Sequence, residues 1–226
     1  MDEMSALLEQ SRAMHRHLCP RQVLGVRMGL LAGSMLDLAL PQQDKRLFTF
    51  METDGCAADA VSVATGCWVG RRTMRILDFG KMAATFVDTY TKEAYRLHPH
   101  PTSRQRAAEL LPDARSRWHA QLEGYQLLAE EDLLVIERVE LLADLRAIIS
   151  RAGVRATCQA CKEEIINERE VTIEGSVFCR ACAGEAYYAV ELEHSIGDLQ
   201  SHRSARQQAR PQNRDKMEIR ELTGND

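Results

Sequence analysis

Two Cys-x-x-Cys pairs constrain this chain more than any other feature: Cys158 with Cys161, and Cys179 with Cys182, separated by 17 residues. That is the spacing of a four-cysteine zinc site. Each pair puts two sulfurs on one side of a tight knuckle, so the intervening chain must turn back. Val171-Thr172-Ile173, the turn Glu174-Gly175 and Val177-Phe178 supply the hairpin. Four thiolates close a tetrahedron and leave no open position. The expected site is therefore structural, organising a module too small to be held by its own core. A redox dithiol at either pair would need a thioredoxin-like βαβ setting, which the surrounding sequence lacks. Between Cys158 and Cys182 the charges are Lys162, Arg169 and Arg180 against Glu163, Glu164, Glu168, Glu170 and Glu174. This balance disfavours phosphate binding and favours a protein contact.

The remainder of the 226 residues is long enough for one medium domain. Apolar residues make up 45% and charged residues 27%, the balance of a globular chain with a real core. Net charge is −4 and the pI is near 6.0, so there is no global attraction for nucleic acid or an anionic membrane. Mean hydropathy is −0.33, no apolar run approaches the ~18 residues of a membrane span, and the opening MDEMSALLEQ is not a signal peptide. A cytoplasmic protein is expected.

The elements predict an α+β core followed by a small zinc ribbon. Residues 4–18 are helix-compatible. Leu24, Met28, Leu31 and Met35 recur at helical spacing after Pro20, which suits a first helical position and makes Cys19 the N-cap. Leu47–Glu52 reads as a strand, 57–64 as a helix with Cys56 at its leading edge, and Met74–Phe79 as a second strand. Ala84–Asp88 and Glu93–His98 read as a hairpin, Ser103–Leu111 and Asp113–Glu130 as helices, Leu133–Val139 as a strand, and Leu141–Arg151 as a connecting helix. The expected divisions are 1–150 for the core, 151–190 for the ribbon and 191–226 for a polar, Gln/Arg-rich disordered tail.

The second cluster of chemistry is His15-Arg16-His17-Leu18-Cys19-Pro20. On an extended chain, residues 15, 17 and 19 point to one side; on a helix only His15 and Cys19 share a face. Imidazole nitrogen and thiolate sulfur both suit Zn2+ or Fe2+. A helix N-terminus also favours a thiolate, and Cys56 stands in the same situation as Cys19. Three such ligands leave a position open for water or substrate, the arrangement of a catalytic metal. Two solvated histidines beside a small packed cysteine is the equally weighted alternative from spacing alone. Asp54 is expected to cap the helix after Cys56 rather than to pair with Asp59 in acid–base work. Cys67 reads as a packed small residue, with its nearness to Cys56 keeping a ligand role in play, and Lys81 reads equally as an anion-binding or a solvated turn lysine.

The segments HRHLCP…LGVRMG, ETDGCAADAVSVATGCWVG and LDFGKMAATF, with the ribbon ending VFCRACAGEAYY, resemble the FmdE family, whose name comes from formylmethanofuran dehydrogenase. The resemblance covers roughly residues 10–140. It implies an α+β core, a dimer, and a metal or active site near Cys19 and Cys56. His15, His17, Cys19, Cys56, Glu52, Asp54, Asp59, Cys67, Asp78, Lys81 and Thr85 match its pattern. Arg16 and Arg21 replace glycines, Ser62 replaces glutamine, and Arg71-Arg72-Thr73 replaces Lys-Gly-Asn. These changes fit equally an arginine-rich mouth for an anionic ligand or cofactor and a member that has lost the ancestral partner.

These readings lead to an FmdE-like metalloprotein with a structural zinc in the ribbon and a second metal, zinc or iron, at His15, His17, Cys19 and Cys56. As an enzyme it would carry redox or one-carbon chemistry, with Cys19 as thiolate ligand or nucleophile, Cys56 beside it, His17 as ligand or proton carrier and Asp59 as orienter. As an accessory protein it would serve a molybdenum or tungsten oxidoreductase as its partner. A zinc-ribbon regulator ranks last on charge. No Walker A, GxGxxG or GxSxG sequence is present.

Overall fold

A computed structural model describes residues 2–149 and 153–189. The chain divides into two compact units, Met1–Ala152 and Gly153–Asp226. The expected tail, 191–226, lies outside the described residues.

The first unit is α+β, built around one five-stranded sheet. Its elements run α1 (Glu3–His15), α2 (Pro20–Met35), β1 (Leu47–Met51), α3 (Cys56–Thr65), β2 (Met74–Ile76), β3 (Ala84–Asp88), β4 (Ala94–Pro99), α4 (Ser103–Leu110), α5 (Arg117–Leu127), α6 (Glu130–Leu133), β5 (Leu134–Arg138) and α7 (Leu145–Ile148). Strand order is β2-β1-β3-β4-β5. Only β1 and β2 are parallel, because α3 carries the chain between them; the other pairs are antiparallel, and β3–β4 is the expected hairpin.

Alternation along β1 explains why all five of its residues are buried. Leu47 and Met51 face the helical layer with Phe86 and Leu97. Phe48 and Phe50 face the opposite side with Val87 and Ala94. That second face is covered by Val139, Leu141, Leu145, Ile148 and Ile149. Of the stretch expected to be a connecting helix over 141–151, the described residues 141–149 hold one short helix, α7, capped by Asp144 accepting from Arg146 N at 2.8 Å, with irregular chain around it. Its apolar residues are spent on the sheet. The helix expected from Asp113 also starts later, because Ser116 is the N-cap of α5 and accepts from His119 N.

Helices α2 and α3 cross at backbone contact. Gly25 and Gly29 lie against Ala57, Ala60 and Ala64, where any larger residue would collide. Arg27, on the same helix, donates to the carbonyl oxygens of Tyr125 at 3.0 Å and Leu128 at 2.9 Å, so it closes the C-terminal end of α5. Burial lowers the pKa of this guanidinium from its usual value, and the carbonyls supply the hydrogen bonds that burial removes.

The second unit holds two hairpins, β6 (Arg155–Thr157) with β7 (Glu164–Ile166) and β8 (Val171–Ile173) with β9 (Ser176–Phe178), followed by a helical turn at Ala181–Glu185. The two-residue turn Glu174-Gly175 has φ of 49° and 79°, the left-handed pair that a tight hairpin demands. The β8–β9 hairpin is as expected; the first hairpin, around Cys158 and Cys161, is an addition. Among the described residues no helix is long and apolar enough to cross a membrane.

Candidate functional site

In the second unit the four cysteine sulfurs lie within 4.8 Å of one another. Cys158 and Cys161 sit in the β6–β7 turn, where Lys162 N donates to Cys158 O at 3.0 Å and Lys162 takes φ of 65°. Cys179 and Cys182 follow β9, and Cys182 N donates to Cys179 Sγ at 3.4 Å. These are two knuckles whose backbone amides turn toward sulfur. A metal–sulfur bond of about 2.3 Å implies sulfur separations near 3.8 Å in a tetrahedron. The Cys161–Cys179 separation is 3.9 Å, so the donor set fits such an ion. Backbone donors, led by Cys179, lower the Cys158 thiol to about 6, while hydrogen bonding to Cys179 and Cys161 pushes Cys182 up to about 12. A divalent ion would favour the thiolate form of all four ligands.

The core site is assembled where α1, α2 and α3 meet. His15 is the last residue of α1, and Arg16 ends that helix in the left-handed region. The chain then turns, so His15, His17 and Cys19 do not form the expected extended run. Cys19 is the N-cap of α2, as expected. Cys56 is the first residue of α3, whose N-cap is Gly55 with φ of 82°; Asp54 does not cap it. The α2–α3 crossing brings both helix starts together, and Cys19 Sγ lies 3.2 Å from Cys56 Sγ. Burial first, then the hydrogen bond to Cys19, pushes the Cys56 thiol up to about 11, with Arg21 pulling the other way.

The two histidines are engaged elsewhere. His15 Nε2 meets Asp59 Oδ2 at 2.6 Å, clasping the end of α1 to the first turn of α3. His17 Nδ1 lies 2.9 Å from His15 O. Among the described residues, Cys158, Cys161, Cys179 and Cys182 form the one set of three or more potential ligands within mutual reach. The four residues expected at a second metal are therefore divided: a thiol pair, a His15–Asp59 pair, and His17 beside them.

Cys19, Cys56 and His17 line a cavity of about 670 Å3. Its walls include Arg21 from α2, Arg104 from α4, and Trp118 and Tyr125 from α5, with no carboxylate among the described residues that line it. Of the arginines expected at a mouth, only Arg21 is there. Arg71 instead donates to the carbonyls of Gln42, Gln43 and Gly66. Arg104 comes from a helix whose sequence carries no sign of a site.

Gln22 is a further residue that sequence reasoning missed. It is fully buried, accepts from Cys19 N at 2.7 Å, and donates to Ser11 O at 3.0 Å and Ser11 Oγ at 2.9 Å. Gln22 thus fixes the backbone that carries Cys19. The signal was legible: Cys19-Pro20-Arg21-Gln22 has the register of a capping box, with glutamine at the third helical position. Glu52 is structural, bound by Arg96 through Nε at 2.6 Å and Nη2 at 2.9 Å. Its carbonyl accepts from Phe79 N and Lys81 N, which holds the Gly80-Lys81 loop at the cavity rim. Cys67 is buried and donates to Leu47 O at 3.3 Å.

The sequence matches the family described as "FmdE, Molybdenum formylmethanofuran dehydrogenase operon" over residues 14–140. It is similar to a "Probable S-adenosyl-L-methionine-binding protein" of Archaeoglobus fulgidus, 28% identical over 209 residues, which is 83% of this chain and 55% of that protein. The chain thus spans about half the length of this curated relative. Among solved structures it is similar to an FmdE-like protein of the tungsten formylmethanofuran dehydrogenase type from Syntrophus aciditrophicus, with 23% identity and a TM-score of 0.48, covering 82% of this chain and 95% of that one. The matched span takes in His15, Cys19, Cys56, Asp59 and the cavity helices, and this chain belongs to the FmdE family.

Proposed function

We propose that this protein is a zinc-holding accessory protein of the formylmethanofuran dehydrogenase type, whose core cavity binds an anionic ligand beside a pair of thiols. The four-cysteine unit is the structural part, since its sulfurs leave no position for a substrate. The core is the working part. The observation that carries this reading is the cavity itself: Cys19 and Cys56, 3.2 Å apart, share its wall with Arg21 and Arg104, and no carboxylate opposes the two guanidinium groups. Its volume suits a small molecule, and Trp118 and Tyr125 offer apolar and aromatic surface to the body of one.

The chemistry this arrangement supports is thiol–disulfide redox, because two thiols 3.2 Å apart on the cavity wall can bond to one another. The accessory role predicts that a tagged chain, purified anaerobically, retains the large subunit of a molybdenum or tungsten oxidoreductase, and retains it in the Cys19→Ser variant. A chain that comes through alone and turns over a one-carbon substrate unaided would make it an enzyme in its own right.

A further inference from the structure

We infer that Cys19 and Cys56 form a reversible two-electron dithiol–disulfide couple that exchanges with a small anionic disulfide held in the cavity by Arg21 and Arg104. The inference rests on the reading of the cavity as an anion-binding ligand site. It adds the reaction and the class of co-substrate.

The geometry is that of a pair one step from bonding. The sulfurs stand 3.2 Å apart, and a disulfide needs about 2.05 Å, a change within reach of side-chain rotation. Both sulfurs line the cavity, whereas Cys67 is buried and held by Leu47 O. Among the described residues no third ligand stands within 4.8 Å of both sulfurs to hold them as a metal centre would. The positions are also fixed from behind. Gln22 pins the Cys19 backbone, and the Gly25 and Gly29 contacts set the separation of the two helix starts.

The exchange balances with the co-substrate named. The Cys19 thiolate attacks one sulfur of the small disulfide, forming a mixed disulfide and releasing one small thiol. Cys56 gives up its proton and attacks Cys19 Sγ, and the second small thiol leaves. Two protein thiols are oxidised to one disulfide while one small disulfide is reduced to two thiols. Arg21 stands two residues beyond Cys19, and Arg104 lies in the first turn of α4 across the same cavity. With no carboxylate on the cavity wall, their charge faces a ligand's carboxylates.

The test uses the full zinc-loaded chain, oxidised glutathione as the anionic probe and hydroxyethyl disulfide as the neutral one. Thiols are trapped by alkylation and located by peptide mass spectrometry. Oxidised glutathione should convert Cys19 and Cys56 into one intramolecular disulfide, and reduced glutathione should reverse it. Cys56→Ser should stop at a glutathione adduct on Cys19, whereas Cys19→Ser should yield no disulfide. Arg21→Gln with Arg104→Gln should slow the reaction with oxidised glutathione by about 10-fold or more beyond any slowing of the reaction with hydroxyethyl disulfide. Alkylation of both thiols at every glutathione ratio would overturn the couple. If equilibrium dialysis then still showed glutathione binding lost on the double arginine change, the cavity reading would stand without it. Equal fold-slowing of both probes by the arginine changes would overturn the anionic co-substrate, and an absence of glutathione binding to the unchanged chain would overturn the cavity reading itself.

Discussion

Substituting Gly25 probes the contact on which the core site depends. A methyl group there would lie 2.7 Å from the Ala57 carbonyl oxygen and 2.7 Å from Ala60 Cβ, about 0.7 Å short of the 3.4 Å at which ordinary contact begins. Relief requires α2 and α3 to part, since a backbone carbonyl cannot rotate away. Overpacking of this kind costs about 1–3 kcal/mol, and alanine in a helix recovers about 1 kcal/mol over glycine. The net expectation for Gly25→Ala is a loss of up to about 2 kcal/mol, or up to roughly 8 °C in Tm for a chain this size. Parting the helices also separates Cys19 from Cys56, so their oxidation should slow. At Gly29 the obstacle differs: the nearest atoms are the Ala64 methyl at 2.6 Å and Thr65 Cγ2 at 3.2 Å. Ala64→Gly should therefore rescue Gly29→Ala by about 0.5–1 kcal/mol beyond the sum of the single changes, whereas Ala60→Gly should rescue Gly25→Ala less, because the Ala57 carbonyl remains. Thermal melts of the two double-mutant cycles give these numbers. A Gly25→Ala protein melting at or above the parent temperature, with unchanged thiol oxidation, would refute the reasoning.

Arg27→Met should cost about 1.5–3 kcal/mol by freeing the last carbonyls of α5, seen as a lower urea midpoint at unchanged slope; a shift no larger than a surface substitution gives would count against that role. Glu52 is held below its usual 4.5 by hydrogen bonding from Arg96, so its contribution is present above that value and lost as pH falls through the depressed native pKa. Glu52→Gln should accordingly lower stability at neutral pH and flatten the acid limb, and an unchanged acid limb would contradict this. Asp59→Asn should weaken the His15 clasp by about 0.5–1.5 kcal/mol without changing metal content, the first read by thermal melt and the second by elemental analysis. Removing the ribbon metal with a chelator should abolish the circular dichroism of residues 153–189 while the melt of the core persists. Joint loss of both transitions would argue that the units do not fold independently.

The ribbon was legible because four cysteines at fixed spacing leave little freedom, and the structure adds only the first hairpin. The helices and strands of the core followed from their periodicities, with α2 starting at Pro20 as its fixed φ requires. What failed was reading sequence proximity as spatial convergence. His15, His17 and Cys19 are neighbours in the chain, yet Arg16 turns the backbone and sends His15 to Asp59. Cys56, 37 residues away and expected beside Cys19 from the family pattern, lies there because glycines on α2 admit α3 at backbone contact. The cavity wall from α4 and α5 was hidden for the same reason. Arg104, Trp118 and Tyr125 belong to ordinary amphipathic helices, and only the tertiary crossing makes them a wall. Leu141–Arg151 read as a connecting helix, but Leu141, Leu145, Ile148 and Ile149 serve the far face of the sheet.

Metal content per chain, by elemental mass spectrometry on anaerobically purified protein, tests most directly the division between a structural metal and a working thiol pair. The expected result is one zinc per chain, lost in Cys158→Ser and retained in Cys19→Ser. A second equivalent of zinc or iron that disappears with Cys19→Ser would show that His17 or another ligand closes on the two sulfurs, and would replace the dithiol account with a metal centre.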